Sequence, residues 1–124
     1  MSIPSFSMAG SITLITGGRT GIGRAFALAF AEAGADVAVC SQTGDDRLAA
    51  VAEEMRKLGR RSLAVRADVS QKADVDSMVQ RVMDEFGRID ILVNGAGMWM
   101  PGQGVLECSE ADWNRVMDVN LKGA

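Results

Sequence analysis

Short apolar runs alternate with segments of helical period along this chain, and that alternation constrains its fold more than any other feature. Ile12 to Ile15 precedes a helical stretch from Ile22 to Ala33, Asp36 to Cys40 precedes one from Asp46 to Leu58, and Ser62 to Arg66 precedes one from Ala73 to Phe86. A fourth run, Ile89 to Asn94, is almost wholly apolar, as expected of a parallel strand covered on both faces. Strand and helix in strict alternation imply right-handed crossovers and an α/β fold with a doubly wound parallel sheet, helices lying on both of its faces. Ligands of such sheets gather at the carboxyl ends of the strands, near the point where strand order reverses.

The helices carry their own signals. In the first, Ile22, Phe26 and Phe30 form one row and Ala25, Ala29 and Ala33 the next, the small alanine row being suited to close approach to a sheet. Gly34 closes it. The second presents Leu48, Val51, Ala52, Met55 and Leu58 before Gly59, and the third Val75, Met78, Val79, Val82 and Phe86 before Gly87. After a loop from Gly95 to Cys108, Ser109-Glu110-Ala111-Asp112 reads as a capping box with Ser109 as N-cap. Trp113, Val116, Met117 and Leu121 then predict a buried face for that last helix.

With 124 residues, 48% of them hydrophobic, the chain can build one core of its own. A net charge of −3 with dispersed basic residues offers no footprint for nucleic acid or an acidic membrane surface. Residues 1–10 lack a signal-peptide pattern and no long apolar run follows, so a cytoplasmic, soluble protein without membrane contact is expected. Cys40 and Cys108 form no C-x-x-C pair, which leaves no zinc or redox motif, and Cys40 fits a small buried hydrophobe on a strand. Histidine and tyrosine are both absent, which removes two of the usual acid-base side chains.

Between the first strand and helix lies Thr16-Gly17-Gly18-Arg19-Thr20-Gly21-Ile22-Gly23. Gly17, Gly21 and Gly23 suit a tight turn, close backbone approach to a pyrophosphate, and a helix packed flat on the sheet. The helix start supplies free N–H groups and the positive end of a dipole. A glycine-rich turn without a ligand is the plain alternative. A P-loop is disfavoured because no Gly-Lys-Ser/Thr follows.

Taken with Asp68-Val69 after the third strand, Asn94-Gly95-Ala96-Gly97 after the fourth, and the Val-Asn-Leu-Lys-Gly run at 119 to 123, this T-G-x-x-x-G-I-G segment closely resembles the short-chain dehydrogenase/reductase family. The resemblance covers essentially the whole chain and implies a Rossmann-type fold, with residues 1–124 as the N-terminal part of a single NAD(P)-binding domain. It implies that Gly17, Arg19, Gly21, Ile22 and Gly23 bind the phosphates and adenosine ribose, and that Asp68 and Val69 hold the adenine. By the same resemblance Asn94, Ala96 and Gly97 wall the nicotinamide-side ribose, and Asn120 is the catalytic asparagine that orders a water in the proton relay. Gly95 stands where asparagine or alanine is commoner, a change expected to loosen the loop.

Structural roles compete at several of these positions. Asp68 can belong to the N-terminal cap of the third helix, Asn94 can bridge its strand to a neighbour, and Asn120 can mark a helix kink. Met98-Trp99-Met100 can line a substrate pocket, though ordinary loop packing is the favoured reading. At the end of the second strand, Ser41 replaces the carboxylate that would bind a ribose 2′-hydroxyl, and with Arg19 in the glycine turn this favours NADP over NAD. Asp45 and Asp46 read as helix-start residues.

The family moves hydride between a nicotinamide and a carbonyl or alcohol substrate, using a Tyr-x-x-x-Lys pair and a serine. With no tyrosine, the chain resembles the cofactor-binding half of a longer, truncated enzyme and is expected to be inactive alone. Ile91, Leu92 and Val93 would then form an apolar sheet edge open to self-association or homo-oligomer contacts. A non-catalytic half-Rossmann module is the rival reading. A methyltransferase leaves the 94 to 97 motif unexplained.

Overall fold

The computed structural model describes residues 6–124, so the first half of the N-terminal stretch lies outside the described residues. Strands β1 (Ile12–Thr16), β2 (Asp36–Ser41), β3 (Ser62–Arg66) and β4 (Ile91–Asn94) alternate with helices α1 (Gly21–Glu32), α2 (Asp46–Lys57) and α3 (Lys72–Phe86). Helix α4 (Glu110–Met117) follows β4 and runs into a π-helical turn, Asp118–Lys122. All strand pairings are parallel and the order is β3-β2-β1-β4, the Rossmann-type arrangement. Order reverses between β1 and β4, and the crevice above that pair is where a ligand is expected.

Side chains leave successive strand residues on opposite faces, so each central strand feeds two cores. On one face Ile15, Val37 and Val39 pack with Ala27 and Ala31 of α1 and Val51 and Met55 of α2. On the other, Leu14, Ala38 and Cys40 pack with Met78, Val82 and Phe86 of α3. Every residue of β1 is buried, Thr13 and Thr16 included, which is why its sequence, Ile-Thr-Leu-Ile-Thr, carries no charged residue on either face. Below the sheet, Asp90 accepts the Ile12 N–H at 2.8 Å and pairs with Arg88 at 3.0 Å, tying the approach to β4 onto the start of β1.

Three sequence expectations are corrected. Helix α1 buries Gly23, Ala27 and Ala31, whereas Ala25 and Ala29 are exposed and Ile22 is 75% exposed. Its phase is set by Gly23, where an added Cβ would lie 2.0 Å from the Gly17 carbonyl oxygen. The buried row is thus two positions away from the expected alanine row. Second, β4 starts at Ile91, and the face that carries Leu92 is incompletely covered, leaving Leu92 54% exposed beside Val75 and Val79 of α3. Third, α4 has no buried residue, and Trp113 and Leu121 face solvent. The apolar spacing was real, but nothing described covers that face. On the other helices, Leu58 and Val79 lie at the margins of the apolar faces and remain partly open.

Candidate functional site

The glycine turn is held from three sides. Gly17 has φ +71° and Gly21 φ +58°, the left-handed region that explains glycine at these two positions. The Gly18 N–H donates to the Cys40 carbonyl at 3.0 Å, pinning the turn to the end of β2. A Cβ on Gly17 would lie 2.5 Å from the Gly95 carbonyl oxygen, so the turn also lies directly against the loop after β4. Where α1 begins, Thr20 makes no side-chain cap, no acidic residue occupies the first turn, and no backbone acceptor among the described residues meets the N–H groups of Gly21, Ile22 or Gly23. Those donors form the positive end of the helix dipole and suit an anion.

Thr16, the last residue of β1, joins the two loops. Its Oγ1 accepts the N–H groups of Gly95 and Ala96, each at 3.1 Å. Gly95 does not loosen this region, as sequence had suggested. A Cβ there would lie 2.5 Å from the Thr16 carbonyl oxygen, so glycine is what lets the loop close on the strand. The result is a recess of 170 Å³ over the strand ends, bounded by six of the expected residues: Gly17, Ser41, Asp68, Val69, Ala96 and Gly97.

Asp68 is not the N-cap of α3, a position held by Gln71. Its Oδ1 accepts the Ser70 hydroxyl at 2.6 Å and the Ser70 N–H at 2.9 Å, forming a turn that leads into the helix. These bonds, with Arg66 and Arg115 nearby, hold its carboxyl below the usual carboxylate range. The recess therefore keeps one anionic acceptor in a wall of mixed polar and apolar residues. Cys40, at its floor, is fully buried as expected, and burial pushes its thiol up to about 11. It is a packing group there, not a nucleophile.

Other expected residues lie outside the recess. Arg19 makes a two-pronged ion pair with Asp45, Nε to Oδ1 at 2.8 Å and Nη2 to Oδ2 at 2.5 Å. Asp45 is the helix-start residue expected of it, capping α2 by accepting from Arg47 and Leu48 N–H. Asn94 borders a groove beside β4 with Thr16 and Leu92, and makes no side-chain hydrogen bond among the described residues. Asn120 sits in the π-helical turn, where its amide accepts the Met98 N–H and donates to the Met98 carbonyl, both at 2.8 Å. It reaches the site through the 94 to 98 loop.

Sequence reasoning missed Gln42 and Thr43, which line the recess beyond Ser41 without any motif to mark them. It also passed over Gly123, where a Cβ would lie 2.7 Å from a Val69 methyl. That glycine closes the 119 to 123 run, so the signal was present. The packing reading of Met98-Trp99-Met100 fails at Trp99, which is 74% exposed and lines, with Met100, Trp113 and Val116, an open apolar cavity of 570 Å³. Among the described residues no group of three metal-ligating side chains occurs, and no helix is long and apolar enough to cross a membrane.

Comparison with known proteins agrees with this geometry. The family model described as short chain dehydrogenase matches residues 11–124. A (2S)-[(R)-hydroxy(phenyl)methyl]succinyl-CoA dehydrogenase subunit of Thauera aromatica is 46% identical over 112 residues, covering 90% of this chain and 44% of that protein. The crystal structure of a short-chain type dehydrogenase/reductase from Mycobacterium marinum superposes with a TM-score of 0.89 at 40% identity, over 96% of this chain and 46% of the other. That of a 3-ketoacyl-(acyl-carrier-protein) reductase from Brucella melitensis, complexed with NADH, gives 0.87 at 36% identity over 94% and 47%. The chain thus spans less than half the length of these relatives. It belongs to the short-chain dehydrogenase family, whose matched region contains the glycine turn, the recess and the loop that Thr16 joins to them.

Proposed function

We propose that the chain carries the cofactor grip of an NAD(P)-dependent oxidoreductase that transfers hydride between a nicotinamide ring and a carbonyl or alcohol substrate. The observation that carries this reading is the junction at Thr16, which sets the free N–H groups of α1 and the Asp68 recess at one sheet edge. The pyrophosphate takes the Gly21 to Gly23 amides, Asp68 and Val69 hold the adenine, and Ala96 and Gly97 wall the second ribose, with Asn94 behind them. The nicotinamide, when bound, supplies or accepts the hydride. Ser41 leaves space for a 2′-phosphate where a carboxylate would repel one, so NADP is the favoured form, by a margin that Arg19, within the turn but paired with Asp45, does little to widen. An NADH-bound relative supports nicotinamide use and is neutral on the phosphate.

Asn120 is assigned to the proton relay. Its two bonds to Met98 leave one amide hydrogen and one carbonyl lone pair, enough to orient a single water. The chain has neither tyrosine nor histidine to act as the acid-base group, so the 124 residues alone should bind dinucleotide without turning over substrate. A cytoplasmic setting and a small-molecule substrate, without nucleic acid or membrane, complete the proposal.

Titrating NADPH and NADH against the intact-mass-verified chain, with nicotinamide fluorescence as readout and carbonyl-dependent oxidation followed in the same samples, tests it. Binding without turnover is expected. Gly21→Asp, which keeps a residue type tolerant of positive φ and places a carboxylate where the phosphates would sit, should abolish binding while thermal unfolding stays near wild type. Retained binding in that variant, no binding by the wild type, or measurable turnover would each overturn the corresponding part.

A further inference from the structure

We propose that Asp45 governs how strongly this chain discriminates NADP from NAD, by holding the Arg19 guanidinium that would otherwise meet a 2′-phosphate. The inference rests on the dinucleotide reading above and adds a residue to it. Arg19 follows Gly18, whose N–H is bonded to the Cys40 carbonyl, so the backbone places it beside the end of β2 where Ser41 and Gln42 begin the next loop. Asp45 ends that same loop and caps α2. The ion pair thus bridges the glycine turn and the β2 to α2 loop across the edge at which a 2′-substituent of an adenosine ribose would lie.

The pair is two-pronged and partly shielded, with the side chains 24% and 37% exposed, which favours a fixed geometry over a fluctuating surface contact. It occupies the Nε and Nη2 edge of the guanidinium and leaves the Nη1 edge without a partner among the described residues. A phosphate arriving at that edge meets a charge already neutralised, and meets the Asp45 carboxylate close behind it. Arg66, the other arginine against this loop, is similarly engaged, donating to the Gln42 carbonyl at 3.1 Å and to Asp74 at 2.8 Å. Neither cation is released to reward the phosphate, so the preference set by Ser41 is shallow and the chain accepts both dinucleotides. Asp45 is a positioning residue in this scheme, since it acts through Arg19 and touches no cofactor atom.

Direct binding constants for NADPH and NADH, measured by calorimetry on the wild-type chain, Asp45→Asn, Asp45→Glu, Arg19→Met and Arg19→Met/Asp45→Asn, test the assignment. Asparagine keeps the helix cap and removes the charge, whereas glutamate keeps the charge and weakens the cap. Asp45→Asn should raise the NADPH-to-NADH affinity ratio about tenfold, the scale of one charge-assisted contact, and Asp45→Glu should leave it unchanged. In the Arg19→Met background the Asp45→Asn effect should vanish, and Arg19→Met alone should shift the ratio by less than about threefold. A tenfold fall in Arg19→Met, or an unchanged ratio in Asp45→Asn with both dinucleotides still bound, overturns the inference. Wild-type chain that binds neither dinucleotide overturns the underlying reading and this one with it. Should Asp45→Asn not fold, the Arg19→Met measurement decides alone.

Discussion

Thr16 is the residue on which the site's geometry turns, because one hydroxyl oxygen accepts two backbone N–H groups from the loop after β4. Thr16→Val keeps the β-branched shape and removes that acceptor, leaving two part-buried donors unpaired. Chemical unfolding should show a loss of about 1 to 3 kcal/mol, the usual cost of stranding buried polar groups, while Thr16→Ser should stay much closer to wild type. Equal stability of the valine variant would mean that the loop finds other acceptors. Close approach explains what sequence left unread at this scale. Gly95 looked like a loosening substitution, yet the Thr16 carbonyl lies where its Cβ would be. Gly17, Asp68 and Val69 were legible because their motifs mark backbone turns. Gln42 and Thr43 had no mark, and the Arg19 to Asp45 pair joins positions 26 residues apart that no local pattern links.

Among the elements, the ones buried on both sides were the most legible. Burial on both faces confines the polar residues of β1 and β2 to the threonines Thr13 and Thr16 and to the ends of β2, Asp36 and Ser41, and the helical spacing of α2 and α3 follows from one covered face each. The phase of α1 was misjudged because the small residues that face the sheet, Gly23, Ala27 and Ala31, carry a weaker periodic signal than Ile22, Phe26 and Phe30, and only Gly23 leaves room for the Gly17 carbonyl. Helix α4 has a readable amphipathic pattern whose cover is not among the described residues. The junction of β1 and β4 carries a pH signature. The Ile12 N–H, then Arg88, hold the Asp90 carboxyl below its ordinary value of about 4. A depressed carboxyl stabilises the fold fully above its unfolded value and loses that contribution as pH falls through the lower folded one. Asp90→Asn should therefore lower the denaturant midpoint at pH 7, and the gap to wild type should narrow below about pH 4. A gap independent of pH would show that the carboxylate's charge plays no part.

For the molecule as a whole, the β3-β2-β1-β4 order leaves β4 at one end with its outer side unpaired among the described residues. Leu92, on that edge strand, projects from one face into a groove shared with Val75 and Val79 of α3. An apolar parallel edge of this kind recruits further strands. Light scattering on the 124-residue chain should show mass rising with concentration, and Leu92→Lys should suppress the rise. A monodisperse monomer across the same range would count against edge pairing. The same order has a consequence during synthesis. β1 receives β2 on one side as soon as α1 is made, but its other side waits for β4, whose approach bonds to Ile12 from 78 residues downstream. On a ribosome adding roughly 5 to 20 residues per second, the central strand spends several seconds with one flank bare. The spine of the sheet is thus the first of these four strands to be made and among the last to be sealed.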